Sequence, residues 1–98
     1  MAVYVIADIE VVDSVGYEEY RQKAPATITA HGGRYLARGG ATEVLEGSWS
    51  PKRCVLLTFP SMAQFKEWWT SPEYQALRAI RERTARSNLI VTEGLQPS

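Results

Sequence analysis

The chain has one histidine, His31, set directly before the pair Gly32-Gly33. Histidine titrates near neutrality without help, so His31 is the first candidate to move a proton, with Asp8 the second. A heavier competing reading is structural, because a histidine in the last turn of a helix also stabilises the carbonyl end. No metal site is expected: typical sites need three or four ligands, and the chain has neither a second histidine nor a second cysteine. Arg34 and Arg38 stand four apart in a short stretch bracketed by Gly32-Gly33 and Gly39-Gly40. Their planar guanidinium forks suit a carboxylate or another anionic group of a small ligand. If the stretch is a strand, period-two alternation puts both arginines on one face. Asp8 and Glu46 are equally good partners for them across a sheet.

If that face lines a closed chamber, Tyr4, Asp8, Arg38 and Glu46 are the polar groups best placed to converge in it. Trp49 falls in a following loop, where an aromatic marks ligand or partner contact, as a lid or across an interface. Tyr35 is expected on the opposite face, in the core. Cys54 lies inside an apolar run and reads as a buried, inert thiol rather than a nucleophile. Trp68 and Trp69 are adjacent, diverge by about 100° on a helix, and so cannot both face one core point. Arg78, Arg81, Arg83 and Arg86 read as a solvated or partner-facing helix side.

These side chains need elements to place them. Val3, Val5, Ala7, Ile9 and Val11 alternate with Tyr4, Ile6, Asp8 and Glu10, which predicts a first strand with an apolar face toward helices and a mixed face opposite. Asp13 or Ser14 caps a helix carrying Tyr17, Tyr20, Ala24, Ile28 and His31. Pro25 predicts a kink or break in it, and Gly32-Gly33 its end. A second strand over Arg34 to Arg38 is expected to bulge at Gly39-Gly40 and to resume over Thr42 to Glu46. Arg53 to Phe59 is a third strand, apolar enough to be central. Ser61 caps a helix from Met62, Ser71-Pro72 opens a further helical segment, and Asn88 to Glu93 forms the last strand. The tail from Leu95 is expected to fray.

Length and composition fit one domain spanning residues 1–98: 45% hydrophobic, 22% charged, with 11 basic against 11 acidic residues. That balance gives no support for a nucleic-acid or membrane-surface partner. No apolar run approaches the roughly twenty residues needed to span a bilayer, and the N-terminus opens directly on a strand pattern, so a cytoplasmic location is expected. The element order predicts an α+β fold, the ferredoxin-like βαββαβ with a four-stranded antiparallel sheet. Its helices cover one face only. Tyr4, Ile6, Leu36, Leu56 and Ile90 make the other too apolar for water, so a homodimer with its two sheets joined as a dimeric α/β barrel is expected.

The runs Gly32-Gly33-Arg34-Tyr35-Leu36-Ala37-Arg38-Gly39-Gly40, Leu45-Glu46-Gly47, Phe59-Pro60-Ser61 and Ser71-Pro72-Glu73-Tyr74-Gln75, with Arg81, resemble the signature of the domain-of-unknown-function family 1330 over nearly the whole chain. That family is similar in fold to the dimeric α/β barrels, a superfamily that also contains cofactorless monooxygenases, haem-degrading enzymes, chlorite dismutases and muconolactone isomerases. The resemblance implies a cofactor-independent monooxygenase or isomerase acting on a small anionic or aromatic molecule. In it, His31 or Asp8 moves the proton and Arg38, with Tyr4, Glu46 and Trp49, holds the substrate. The alternative is a non-catalytic small-molecule binder using the same cavity, and haem binding through His31 is a third possibility. No cofactor is expected for the first two.

Overall fold

Strand β1 (Val3–Val11) realises the alternation of its sequence: Val3, Val5, Ala7 and Ile9 are buried, while Tyr4, Ile6, Asp8 and Glu10 lie toward the other face. The computed structural model describes residues 1–96; Pro97 and Ser98, the end of the tail expected to fray, lie outside the described residues. β1 pairs antiparallel with β3 (Cys54–Phe59), from Val3 opposite Phe59 to Asp8 opposite Cys54. On its other side it pairs antiparallel with β4 (Ala85–Glu93), from Val3 opposite Glu93 to Val11 opposite Ala85. With β2 (Arg34–Arg38) on the outer side of β3, the strand order is β2-β3-β1-β4. This is the ferredoxin-like α+β fold, with β1 and β3 central.

Helix α1 (Ser14–Ala30) starts at Asp13, whose carboxylate accepts from the Gly16 amide at 3.0 Å. It runs through Pro25 without the expected break. Proline removes one backbone donor, and burial of Tyr17, Tyr20, Ala24 and Ile28 along one stripe holds the helix together across the gap. Its end is a Schellman motif: Gly33 N–H donates to the Ile28 carbonyl and Gly32 N–H to that of Thr29, with Gly32 at φ +79°. Gly33 is also a close approach, since a Cβ there would lie 2.5 Å from the Phe59 ring.

Two features of β2 depart from expectation. The bulge falls not at Gly39-Gly40 but between Tyr35 and Ala37, where Tyr35 opposes Leu57, Ala37 opposes Leu56 and Arg38 opposes Val55. One extra residue flips the alternation. Tyr35 and Arg38 therefore share the helix side with Leu57 and Val55, while Arg34 points the other way, so the two arginines do not share a face. The strand also does not resume over Thr42 to Glu46. Gly39, at φ +73°, makes the last bond to the Cys54 carbonyl at 2.8 Å and turns the chain off the sheet, leaving residues 40–50 exposed.

Helices α2 (Met62–Thr70) and α3 (Pro72–Thr84) are capped by Ser61 and Ser71, whose hydroxyls accept from the Gln64 and Tyr74 amides. β4 follows α3 directly, three residues before the expected Asn88. Trp68 is buried and donates through its indole to Thr27 Oγ1 at 3.0 Å; Trp69 is half-buried, with its ring 5.9 Å from that of Tyr74 and Arg78 over its face at 4.0 Å. Arg81 is not on the solvated side: it is 3% exposed and shares the inward stripe of Tyr74, Leu77 and Thr84. The face without helices carries Tyr4, Leu36 and Ile90 at 36%, 44% and 63% exposure.

The close approach at Gly33 has a measurable counterpart at Gly40, where an added Cβ meets nothing. In urea unfolding, Gly33→Ala is expected to lose about 1–3 kcal/mol, and Gly40→Ala to stay within about 0.5 kcal/mol of the unaltered chain. Equal effects would contradict the packing described.

Candidate functional site

The helix side of the sheet does not close completely on the helices. A cavity of about 290 Å³ lies between them, floored by Val5, Ala7, Val55 and Leu57 and walled by residues of α1 and by Trp68 and Tyr74. Its size is at the small end of ligand pockets, which run from about 300 Å³ upward. Period-two alternation of β1 and β3 supplies the apolar floor, and the stripe Tyr17, Tyr20, Ala24, Ile28 supplies one wall. The rings of Trp68 and Tyr74 lie against each other with centroids 3.9 Å apart and planes tilted by 33°.

The polar groups are unevenly distributed. Three arginines, Arg21, Arg38 and Arg53, line the cavity, and among the described residues no acidic side chain does. Arg21 is neutralised by Glu18 at 2.9 Å. Arg38, brought in by the bulge, lays its guanidinium over the Tyr35 ring at 4.7 Å. Arg53 Nε is buried without a hydrogen-bond partner, against Gly39, where a Cβ would come within 2.8 Å of it. Among the described residues, neither Arg38, Arg53 nor Arg81 forms an ion pair.

Tyrosines complete the lining. The hydroxyls of Tyr20 and Tyr74 meet at 2.8 Å across α1 and α3. Burial, then the neighbouring Tyr74, pushes the Tyr20 phenol far above its ordinary value. Burial also raises Tyr17 and Tyr35, against the pull of Arg53 on both and of Arg38 on Tyr35. At neutral pH these are neutral hydrogen-bonding groups, not bases. Arg81 stands behind them, its Cζ 5.9 Å from the Tyr20 ring centroid and its Nε buried without a partner.

Of the residues singled out in the sequence, only Arg38 lines this cavity. His31 is the C-cap of α1, its Nδ1 bonded at 2.9 Å to the Thr27 carbonyl. A carbonyl only accepts, so Nδ1 carries the proton. Tyr4 lies on the face without helices, with Gly94 close against its ring, and Glu46 is exposed in the segment after Gly39. Asp8 and Trp49 meet, on the face of the sheet opposite the cavity. Asp8 accepts from the amides of Lys52 and Arg53 at 2.8 and 3.3 Å and from the Trp49 indole at 3.2 Å. The carboxylate thus fastens the backbone of the residue whose side chain enters the cavity.

Arg53, Tyr17, Tyr20 and Tyr74 were missed as site residues. Arg53 precedes Cys54 and shares the parity of Val55, Leu57 and Phe59, which places it on the helix side. The signal in α1 was two tyrosines on a core stripe, whose hydroxyls need polar neighbours. Among the described residues no group of three or more His, Cys, Asp or Glu side chains is placed to hold a metal ion, and no helix is long and apolar enough to cross a membrane.

The fold and cavity place the chain among ferredoxin-like α+β proteins with a pocket between sheet and helices. It belongs to the DUF1330 family, a domain of unknown function, whose pattern it matches over residues 2–95. No curated protein matches it. Among solved structures it is similar to a protein of unknown function from Rhodopseudomonas palustris (19% identity, TM-score 0.79, covering 98% of this chain and 84% of that one). It is also similar to SnoaB, a cofactor-independent oxygenase from Streptomyces nogalater (10% identity, TM-score 0.65, 98% and 95%). A third is a dimeric ferredoxin-like protein of unknown function from Jannaschia sp. (15% identity, TM-score 0.64, 96% and 100%).

Partial desolvation pushes the Asp8 pKa up, but the Lys52 and Arg53 amides and the Trp49 indole outweigh it and hold the carboxyl below its ordinary value. A depressed carboxyl contributes fully above its unfolded pKa and ceases to contribute as pH falls through the lowered folded one. Amide exchange at Lys52 and Arg53, corrected for intrinsic rates, is expected to stay slow from neutral pH down to that lowered value and to accelerate below it. In Asp8→Ala it should be fast throughout. Unchanged protection in the variant would show that the segment docks by other means.

Proposed function

We propose that this protein is a homodimeric small-molecule protein of the cofactor-independent barrel type, a monooxygenase or isomerase acting on a small anionic or aromatic molecule held between sheet and helices. The observation that carries this is the lining itself: aromatic walls, an apolar floor, and arginines of which Arg38 and Arg53 have no ion pair among the described residues. Such a chamber stabilises an organic anion. The likeness to a cofactor-independent oxygenase in fold supports the class of reaction. For a monooxygenase without a cofactor, the substrate is the reductant: it supplies the four electrons that O2 takes up, one oxygen atom staying in the product and the other leaving as water. Tyr20, Tyr74 and Arg38 are the groups we assign to holding that substrate. His31 and Asp8 then serve as helix cap and as anchor of the Arg53 segment.

The dimer is supported by the apolar side chains exposed on the uncovered sheet face and by a similar structure described as dimeric. A second reading, a non-catalytic binder, is favoured by one observation: among the described residues neither a carboxylate side chain nor the imidazole lines the cavity to act as base.

Sedimentation is expected to show a dimer that Leu36→Asp splits; a stable protomer in the unaltered chain would contradict the assembly. Incubation of a thermal-shift hit under oxygen, followed by mass spectrometry, separates the two functions. Oxidised or isomerised product that Arg38→Ala reduces at least tenfold, about one charge-assisted hydrogen bond, supports the enzyme. Stabilisation without product supports the binder.

A further inference from the structure

Arg53 is the most informative group that the reading above leaves unused. Its guanidinium enters the cavity from the start of β3, its Nε is buried without a partner, and the backbone of Gly39 makes room for it. Burying a charge without a counter-ion is unfavourable, and structural arginines answer it with a carboxylate. Here the nearby acid, Asp8, binds the Arg53 main chain instead, from the other side of the sheet. Arg38 reaches the same cavity from a more exposed position, its charge also without an ion pair, and Arg81, a buried cation, stands behind the tyrosines. The chain as a whole is balanced, 11 against 11, so this concentration of positive charge is local.

We infer that the ligand is a small carboxylic acid with a flat unsaturated body. Arg53 and Arg38 take the carboxylate, and the Tyr20–Tyr74 hydroxyl pair meets an oxygen substituent on that body. This rests on the cavity being the ligand site. Two guanidinium forks present parallel N–H donors of the kind that grip a carboxylate. Phosphate sites add backbone N–H groups from a glycine-rich loop or a helix N-terminus. The walls here are strand and helix sides whose amides are already bonded in ladder and helix. A flat body can lie against the aromatic walls made by the tilted Trp68–Tyr74 rings and by the Tyr17–Tyr20 pair, with centroids 5.1 Å apart. When the hydroxyls of Tyr20 and Tyr74 bond each other, one proton remains free to donate to a ligand oxygen.

The test uses the full chain with 2-naphthoate, 3-hydroxybenzoate and 6-hydroxy-2-naphthoate, their methyl esters, and phenyl phosphate, read by calorimetry and thermal shift. The acids are expected to bind at least about tenfold more tightly than the esters. Arg53→Met should abolish that preference without lowering the melting temperature of the ligand-free protein, because it removes a half-buried guanidinium whose Nε has no partner. Arg53→Lys, which keeps the charge but loses the fork, should retain a weakened preference. Tyr20→Phe should weaken the hydroxy acids and spare 2-naphthoate. Acids and esters binding alike, or an acid preference that survives both Arg53→Met and Arg38→Met, would overturn the carboxylate assignment and leave the cavity reading intact. Binding of phenyl phosphate alone would replace carboxylate by phosphate. Binding of none of these compounds would overturn the cavity reading with it. A fall in the ligand-free melting temperature of Arg53→Met would mark Arg53 as structural and overturn its role.

Discussion

A strand can turn each side chain to only one side of its sheet, and in this fold helices cover only one side. That constraint sorts the whole molecule. The odd residues of β1 and β3 make the floor beneath α1 and α3, while the even residues make the open face. Because the sorting is by parity, a single inserted residue has a large effect. The bulge between Tyr35 and Ala37 sends Arg38 through the sheet to the helix side, next to Tyr35 and within the same cavity as Arg53. Without it, Arg38 would join Arg34 on the other face and the cavity would hold one fewer cation.

The two faces are joined by Asp8. Its carboxylate lies on the open side and binds the Lys52 and Arg53 amides and the Trp49 indole, and the Arg53 side chain then passes to the cavity side. The long exposed segment between Gly39 and Arg53 is thereby tied at its far end to the central strand, and at its near end by the Gly39 bond to the Cys54 carbonyl. A residue picked out in the sequence for proton transfer is thus, in the fold, a holder of backbone. His31 has a similar position, closing α1 through the Thr27 carbonyl.

Much of the fold was legible because period and punctuation agreed: alternation in β1 and β3, Asp13, Ser61 and Ser71 as caps, Gly32-Gly33 as a stop. The site was less so, for three physical reasons. The bulge sits at Leu36, which has no sequence mark of its own, while the glycine pair that seemed to announce it ends the strand instead. The charge of Arg81 puts it on a solvated or partner-facing helix side, although its spacing from Tyr74 and Leu77 puts it inward, a case of helical period deciding over polarity. Helical spacing places Tyr17 and Tyr20 on one stripe of α1 without marking their hydroxyls as functional, and only the meeting of Tyr20 with Tyr74, far apart in sequence, makes that stripe a polar wall.

What results is a chamber whose rings and arginines the fold itself arranges, so that in the binding we propose little free energy would be lost to ordering them. The most direct measurement is the arginine Nε–Hε nuclear magnetic resonance spectrum of the full chain during titration with 2-naphthoate. Saturable shifts of Arg53 and Arg38, with the side chains of Tyr4 and Ile90 on the opposite face unmoved, are the predicted result. Shifts confined to that open face, with Arg53 and Arg38 unperturbed at saturation, would contradict the account.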